Sequence, residues 1–552
     1  MNFEPKIKEL LNKRGIRTEE EIAEFISPAP QKTYDPFLLL NMEAGVDQIL
    51  SVIDSGGRIC IYGDYDADGV TSVVILTEVL SQLTDNLTYY IPSRFGEGYG
   101  LNRGAIDRIR ADGVDLIVTV DCGSVDCDEV DYAKSLGLGI VVTDHHTVTD
   151  RKADCVLINP AQEECPYPFK KLAGCGVAFK LAQALASVTG LPGSLLTAAL
   201  DLVAVGTVAD IVPLIDENRT FVKYGLRLIN TSNRRNLDAL IRAAGLKPGT
   251  IRSENIAFGI APRINSAGRL AHAKIAADLF LTKDPAQARK LVDKMVLLNE
   301  ERKSIQERIY LECVGIIEQR FADDDFLLVD LETEQEGVTG IVAGKITEQY
   351  YKPSVIVSQT GENLYKGTGR SIEGFNLYSA LKENEEMFIT FGGHALACGF
   401  TMGAEYVTVL RENLNKTASA IRAENPDIFT EKHRIDLFLE AEDISMELIR
   451  QTSIFEPFGF SNEKPQAAFT GYADRVRRIG NRGQYLRFEA ELSDLRRIVC
   501  VAFRNTDEIE ELIRMSGGRR IRIIGYLQIN TWQGRDSIQM QVNAAETTDG
   551  DW

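Results

Sequence analysis

The sequence predicts an α/β protein in which a parallel-sheet domain, a long connecting helix, a second α/β domain and a C-terminal β-barrel follow one another along the chain. Three observations lead there. Between Arg58 and Pro160, apolar runs of strand length alternate with amphipathic stretches of helix length, the rhythm of a parallel sheet covered on both faces. From Asp284 to Arg320, Leu291, Val292, Met295, Leu298 and Ile305 keep helical spacing among many charges. From Arg434 onward, strand-like runs dominate.

At roughly 100–200 residues per domain, 552 residues imply several units. The N-terminal segment (1–45) opens with a short amphipathic helix and lacks a signal-peptide apolar core. In the first domain (46–275) the expected strands are Ile59–Tyr62, Leu87–Ile91, Leu116–Val120, Gly139–Thr143 and Val156–Ile158, with helices at Val70–Leu83, Asn102–Ala111 and Val125–Leu136. Two apolar helices follow, near Gly176–Thr189 and Leu195–Val208; Asp201 and Asp210 mark the second as buried in protein rather than membrane. The connecting helix (276–322) at about 1.5 Å per residue spans roughly 45 Å, enough to join two domains across a groove. The second α/β domain (323–425) starts at Phe326–Val329, contains Ser354–Val357 and the glycine-rich Gly392–Gly399, and ends near Asn425–Pro426. The last unit (430–548) carries runs at Ile435–Leu439, Gln466–Tyr472, Leu486–Leu492, Arg497–Phe503, Arg520–Ile529 and Ser537–Val542. Such spacing suggests an OB-fold, a frequent platform for single-stranded nucleic acid.

The formal charge of −19 averages 80 acidic and 61 basic residues and does not exclude a polyanionic partner, because binding needs only a local basic lining. Nine cysteines without a Cys-x-x-Cys pair fit neither a disulfide framework nor a four-thiolate zinc site. Reduced thiols in a cytoplasm are the simpler reading.

Asp64, Asp66 and Asp68 alternate in GDYDADG directly after the first strand, and an extended chain would direct them to one side. Three close carboxylates repel unless cations compensate. A calcium loop is the competing reading, but the twelfth position from Asp64 is Ile75 rather than Glu. Asp121 follows another strand, where helix capping is the alternative. Asp144, His145 and His146 follow the next, and the pair uses two of only five histidines. Asp210, flanked by apolar residues, needs a partner if buried. Mixed carboxylate and imidazole donors suit Mn²⁺, with Mg²⁺ accepted through the oxygens.

In this order GDYDADG, VDCG, TDHH and GTVADIVPL resemble the motifs of the DHH phosphoesterases, and the version here is similar to the bacterial RecJ single-strand DNA exonucleases. The resemblance continues through IPSRFGEGYGLN (91–102), IAPRINSAGRL (260–270), GVTGIVAGK (337–345), GTGRS (367–371) and GGHALACGF (392–400) into the barrel. It implies a pair of Mn²⁺ or Mg²⁺ ions held by Asp64, Asp66, Asp68, Asp121, His145 and Asp210, with Asp144 and His146 beside them and His146 and His394 contacting the scissile phosphate. It further implies a 5′→3′ exonuclease that releases 5′-mononucleotides from single-stranded DNA in repair and recombination, with a helicase and a single-strand-binding protein as candidate partners and no membrane. Arg94, Thr368, Arg370 and Ser371 match a 5′-phosphate pocket, with Gly392 and Gly393 lining the path next to His394. Arg263 and Asn265, with Arg269, are donors in a stretch read as a loop of helix-breaking residues. In the barrel, Arg475, Arg477, Arg478, Arg482 and Arg487 interleave with Tyr472, Tyr485 and Phe488, a pattern compatible with backbone tracking and base stacking, with aromatics that alternate as barrel core the competing reading. Three positions depart from the family pattern: Glu334-Gln335-Glu336 and Tyr485 where histidine is expected, and Thr368 in place of serine. A small-substrate phosphodiesterase acting on oligonucleotides or cyclic dinucleotides, and a non-catalytic DNA-binding scaffold, are the alternatives.

Overall fold

The computed structural model describes residues 3–548 except 28, 149–150, 232–233, 333–334 and 362. Strands β1 (Ile59–Gly63), β2 (Leu87–Tyr90), β3 (Leu116–Val120), β4 (Gly139–Thr143) and β5 (Val156–Ile158) form a parallel sheet of order β2-β1-β3-β4-β5. Their apolar runs are continuous because helices cover both faces: Val118 and Val141 belong to one core, Ile117 and Val142 to another. The strand order reverses direction at β1 and β3. Ligands in open α/β sheets bind at the carboxyl ends of strands at such a switch point.

Helices Gly174–Thr189 and Gly193–Ala209 form the expected apolar pair. The PRINSAGR stretch is not a loop. It lies in a helix, Ala261–Leu270, preceded by a π-helical turn, Ile256–Ile260. Pro262 is tolerated there because the first helical turn has no intrahelical use for its missing N–H. Gly268 is required by packing: a Cβ would stand 2.4 Å from the Tyr65 carbonyl oxygen.

Pro285–Ile316 is one helix of 32 residues. Its first half places Ala288, Val292 and Met295 in the first domain's core, and its second half places Ile309 and Cys313 in that of the next domain. The helix is therefore a spine shared by both. The second domain has a sheet of order β6-β7-β8-β10-β9, built from β6 (Leu327–Leu331), β7 (Ser354–Gly361), β8 (Leu364–Arg370), β9 (Phe388–His394) and β10 (Ala397–Gly403). Only β6 and β7 run parallel; the other pairs are antiparallel.

The last unit closes as a barrel. β12 (Ala467–Ile479) pairs with both β13 (Tyr485–Glu491) and β15 (Ile521–Trp532), while β14 (Arg497–Ala502) and β16 (Arg535–Thr547) complete the ring and β11 (Leu437–Phe438) extends it. β12, β15 and β16 are longer than the apolar runs suggest, because their outer ends carry exposed polar or charged residues. Helix Thr506–Ser516 lies between β14 and β15. The N-terminal helix Pro5–Lys13 buries Ile7, Leu10 and Leu11 in the barrel core. Arg219 anchors this unit to the first domain, donating to the carbonyls of Phe25, Ile454, Phe455 and Glu456. Among the described residues, no helix is long and apolar enough to cross a membrane.

Candidate active site

Asp64, Asp66 and Asp68 are gathered by a strand-to-helix turn rather than by an extended chain. Asp66 caps helix Ala67–Leu80, its Oδ1 accepting from the N–H groups of Asp68 (2.9 Å) and Gly69 (3.1 Å). Asp68, in the first helical turn, accepts from the backbone of Gly174 (2.7 Å) and Cys175 (2.9 Å), so a second helix N-terminus faces it. Gly174 is obligatory: a Cβ would meet Asp121 Oδ1 at 2.4 Å. Asn265 uses its side-chain oxygen to accept from Ala67 N–H at 2.7 Å, fixing the aspartate turn.

Asp121 follows β3 in the left-handed region (φ 62°), where Asp is tolerated better than most residues. His145 Nε2 lies 3.1 Å from Asp121 Oδ1, 3.6 Å from Asp210 Oδ2 and 3.9 Å from Asp68 Oδ2. Asp210 ends helix Gly193–Ala209, the pole where a carboxylate is disfavoured, so capping does not account for it. Burial, then neighbouring carboxylates, pushes Asp64 and Asp121 well above the ordinary range and Asp210 up to about 9. The buried Asp64 Oδ1, Asp121 Oδ1 and His145 Nε2 have no hydrogen-bond partner. Orphaned acceptors amid crowded carboxylates are the mark of a cation site, and three overlapping donor groups here have the spacing to hold metal ions. The residues fit a divalent-cation centre.

Asp144 and His146 belong to one of these donor groups, and they also engage each other. Asp144 Oδ1 accepts from the backbone of His145 and His146 and from His146 Nδ1 (2.7 Å), and its Oδ2 accepts from Ser124 N–H (3.0 Å). Burial opposes its charge, but the His146 hydrogen bond and both imidazoles outweigh this and hold it below the usual range. Burial likewise pulls His146 down, yet the Asp144 contact wins and holds it at about 9. Tyr99 is a residue that sequence reasoning does not single out. Its hydroxyl lies 3.1 Å from His146 Nδ1, and the only signal is its place in GEGYG, where Gly96, Gly98 and Gly100 all have positive φ.

A second cluster is cationic. Arg94 stacks 4.2 Å over the Tyr65 ring, Arg269 donates to the Gly337 carbonyl (2.7 Å), and Arg370 donates to that of Gly369 (2.8 Å). Burial, then the neighbouring Arg94, brings Arg269 down to about 10, with Arg302 and Arg370 adding to the effect. The glycines of GVTGIVAGK permit this convergence: a Cβ on Gly337 would meet Arg269 O at 2.6 Å, and one on Gly340 would meet Thr368 Cγ2 at 3.0 Å. Ser371 donates to Phe375 O (2.8 Å), which engages its hydroxyl internally. Arg263 is buried and donates to Gly259 O. Gly392, Gly393 and His394 are exposed at the end of β9, and no hydrogen bond or ion pair joins His394 to the aspartates among the described residues. Glu334 lies outside the described residues, while its neighbour Glu336 pairs with Lys366.

The barrel stripe divides: Arg477 and Arg482 are exposed without a described ion pair, and other members are engaged within the barrel. Phe488 is fully buried core. Arg475 pairs with Glu489, Arg478 with Asp507 and Glu510, and Arg487 with Glu489. Tyr485 is half-buried against Phe503, and only Tyr472 offers an exposed ring.

Over residues 58–207 the chain matches the DHH family, N-terminal domain; over 323–420, the DHHA1 domain; and over 435–544, the RecJ OB domain. The single-stranded-DNA-specific exonuclease RecJ of Bacillus subtilis (strain 168) is 37% identical over 552 residues, covering 100% of this chain and 69% of that protein. The chain belongs to the RecJ family. The RecJ of Escherichia coli (strain K12) is 30% identical, covering 98% of this chain and 95% of that protein. The crystal structure of Thermus thermophilus RecJ in complex with Mn²⁺ superposes with a TM-score of 0.83 at 28% identity, over 99% of this chain and 76% of that one. A second RecJ structure from the same organism, with Mg²⁺, gives 0.79.

Proposed function

We propose that this chain is a single-stranded-DNA-specific 5′→3′ exonuclease that releases 5′-mononucleotides and serves DNA repair and recombination in the cytoplasm. The observation that carries the reading is the pairing of an under-neutralised carboxylate cluster with a cluster of arginines that lack carboxylate partners, at the switch point of the first sheet. Asp64, Asp66, Asp68, Asp121, His145 and Asp210 would hold two Mn²⁺ or Mg²⁺ ions. When bound, such a pair neutralises charge on the attacking and leaving oxygens and lowers the pKa of water at the site.

The protein's own groups do the remaining work. His146, kept protonated by Asp144 and braced by Tyr99, donates a hydrogen bond to a non-bridging oxygen of the scissile phosphate. Asp144 orients the ring and is not consumed as a ligand. Arg94 and Arg370, with Thr368 and Ser371 alongside, take the 5′-phosphate through charge-assisted hydrogen bonds, which imposes the polarity. Arg263, Asn265 and the Gly392–His394 segment line the path of the strand. A duplex or a coated strand must be opened before it enters, so a helicase and a single-strand-binding protein belong to this reading as partners.

The test is digestion by the purified protein, with Mn²⁺, of single- and double-stranded DNA labelled at either end. Mononucleotides released from the 5′ end of single strands are expected. Equal digestion of blunt duplex, or attack from the 3′ end, would sink it.

A further inference from the structure

No described ion pair joins Arg94 to Glu97, the carboxylate nearest to it in sequence. Both oxygens of Glu97 are already taken. Oε2 accepts from Ser93 N–H at 2.6 Å, and Oε1 accepts from the Tyr90 hydroxyl at 2.7 Å and from the Arg108 guanidinium. The side chain is only 15% exposed. Burial opposes its charge, but the Ser93, Tyr90 and Arg108 contacts outweigh this and hold it below the usual carboxylate range. Neither the metal centre nor the cationic cluster accounts for a carboxylate so fully engaged.

These contacts close the turn that carries Arg94. Glu97 N–H also donates to Ser93 O at 3.3 Å, so Arg94 sits inside a ring closed by the main chain and by the Glu97 side chain. The turn does not order itself. Gly96 and Gly98, on either side of Glu97, have φ 95° and 80° with open space around them, and glycine loses the most conformational freedom on being fixed. The anchor leads back to the sheet: Tyr90, at the end of β2, stacks on Tyr62 of β1 with centroids 5.5 Å apart, and Arg108 belongs to helix Arg103–Ala111. The far end of the loop is held separately, by the Tyr62 hydroxyl donating to Gly100 O (2.9 Å) and Leu101 N–H donating to Asp126 Oδ2 (2.7 Å). Glu97 therefore governs the part of the loop that bears Arg94, and Asp126 the part that bears Tyr99.

We propose that Glu97 is a positioning residue for the 5′-phosphate: it fixes the turn that aims Arg94 over Tyr65, and by committing its own charge to Ser93, Tyr90 and Arg108 it leaves the Arg94 charge for the ligand. The inference rests on the 5′-phosphate reading of Arg94. Geometry supports the first half. Arg94 is held by its 4.2 Å stack on the Tyr65 ring, and its buried Nε has no hydrogen-bond partner, so the turn itself must set where the guanidinium points. A planar fork that grips phosphate through paired hydrogen bonds tolerates little displacement. Charge supports the second half, because an unengaged carboxylate so close in sequence would compete with phosphate for the same donors.

The experiment measures the Kd of 5′-phosphorylated and 5′-hydroxyl single strands of one sequence, without divalent ions, for the wild type, Arg94→Ala, Glu97→Ala, Glu97→Gln and the double variant Arg94→Ala/Glu97→Ala. The wild type should prefer the phosphorylated strand on the order of 10-fold, as expected for hydrogen bonds to a charged group. Glu97→Ala should lose most of that preference although Arg94 is intact, and Glu97→Gln, which keeps an acceptor oxygen for the turn, should retain part of it. The double variant should lose no more than Arg94→Ala alone, the non-additivity of residues that act through one contact. In digestion with Mn²⁺, the loss in Glu97→Ala should fall on KM for phosphorylated strands rather than on kcat. A folding defect weakens both strands alike and leaves their ratio unchanged. An undiminished ratio in Glu97→Ala, or additive losses in the double variant, would overturn this inference alone. A wild type without preference, or a preference that survives Arg94→Ala, would overturn the 5′-phosphate reading and this inference with it.

Discussion

The arginines of the cleft and those of the barrel have the same side chain and opposite circumstances. Arg263, Arg269 and Arg370 donate to backbone carbonyls, Arg302 donates to neutral side chains and Arg94 stacks on Tyr65; none of the five has a described carboxylate within ion-pair distance. On the barrel, Arg475, Arg478, Arg487 and Arg497 are paired with carboxylates, whereas the exposed Arg477 and Arg482 of the same stripe have no described ion pair. In a chain of charge −19, carboxylates are plentiful, so cations held by neutral groups mark where an external anion goes. The number of arginines in a stretch says little; their partners say more.

The sharpest way to break this contrast is at the carboxylates. Asp121→Ala removes an orphaned oxygen of the centre, and steady-state digestion should fall about a thousand-fold, equivalent to several kcal/mol of transition-state stabilisation. A loss under ten-fold would mean the chemistry lies elsewhere. Next, Arg269→Ala should raise the Kd for single-stranded DNA about 10- to 100-fold, as expected for loss of hydrogen bonds to a charged group, and reduce the salt slope by about 0.7. Arg478→Ala on the barrel should change affinity less than about three-fold. Equal effects of the two would erase the distinction.

A pH experiment addresses the carboxylates without substrate. Asp210 holds its proton up to about 9 against an ordinary 3.8, and Asp64 and Asp121 are raised too. The folded state then binds more protons than the unfolded chain, so metal-free stability is greatest below the ordinary carboxylate pKa and is lost as pH rises towards about 9, by up to about 1.4 kcal/mol per pH unit for each proton held. Melting curves in chelator should shift to lower temperature between about pH 6 and pH 9. Mn²⁺ should remove the shift, and Asp210→Asn should reduce it. The smallest effect is expected at Arg475→Ala, where breaking an exposed pair costs about 0–1 kcal/mol by thermal melting.

Much of this is legible in the residues. The five parallel strands are readable because doubly covered strands are continuous apolar runs, and most of the acidic sites because they lie just after one of them; Asp210, at the end of helix Gly193–Ala209, is readable instead as a charge flanked by apolar residues. Helix Ala261–Leu270 reads as a loop because Pro262 and Gly268 look like breakers, although one starts a helix and the other admits a neighbour's backbone. Helix Thr506–Ser516 escapes a reading tuned to strands, though Ile509, Leu512 and Ile513 before Gly517 carry the signal. The barrel stripe is only partly readable: Asp507 and Glu510 reach Arg478 from another element and Glu489 reaches Arg475 from the next strand, so no local pattern tells which arginines are neutralised and which, like Arg477 and Arg482, are left open. Tyr99 is hidden for the same reason, since its value depends on where a glycine-rich loop returns.

The helix carrying Arg269 touches its neighbours through main-chain atoms on both sides, at Gly268 against Tyr65 and at Gly337 of the second domain. Side chains cannot widen or narrow a spacing set by backbone. The spacing of the two lobes at this contact is therefore fixed independently of what lines the cleft. Sequence drift can retune the lining of the cleft while that spacing stays at the same setting.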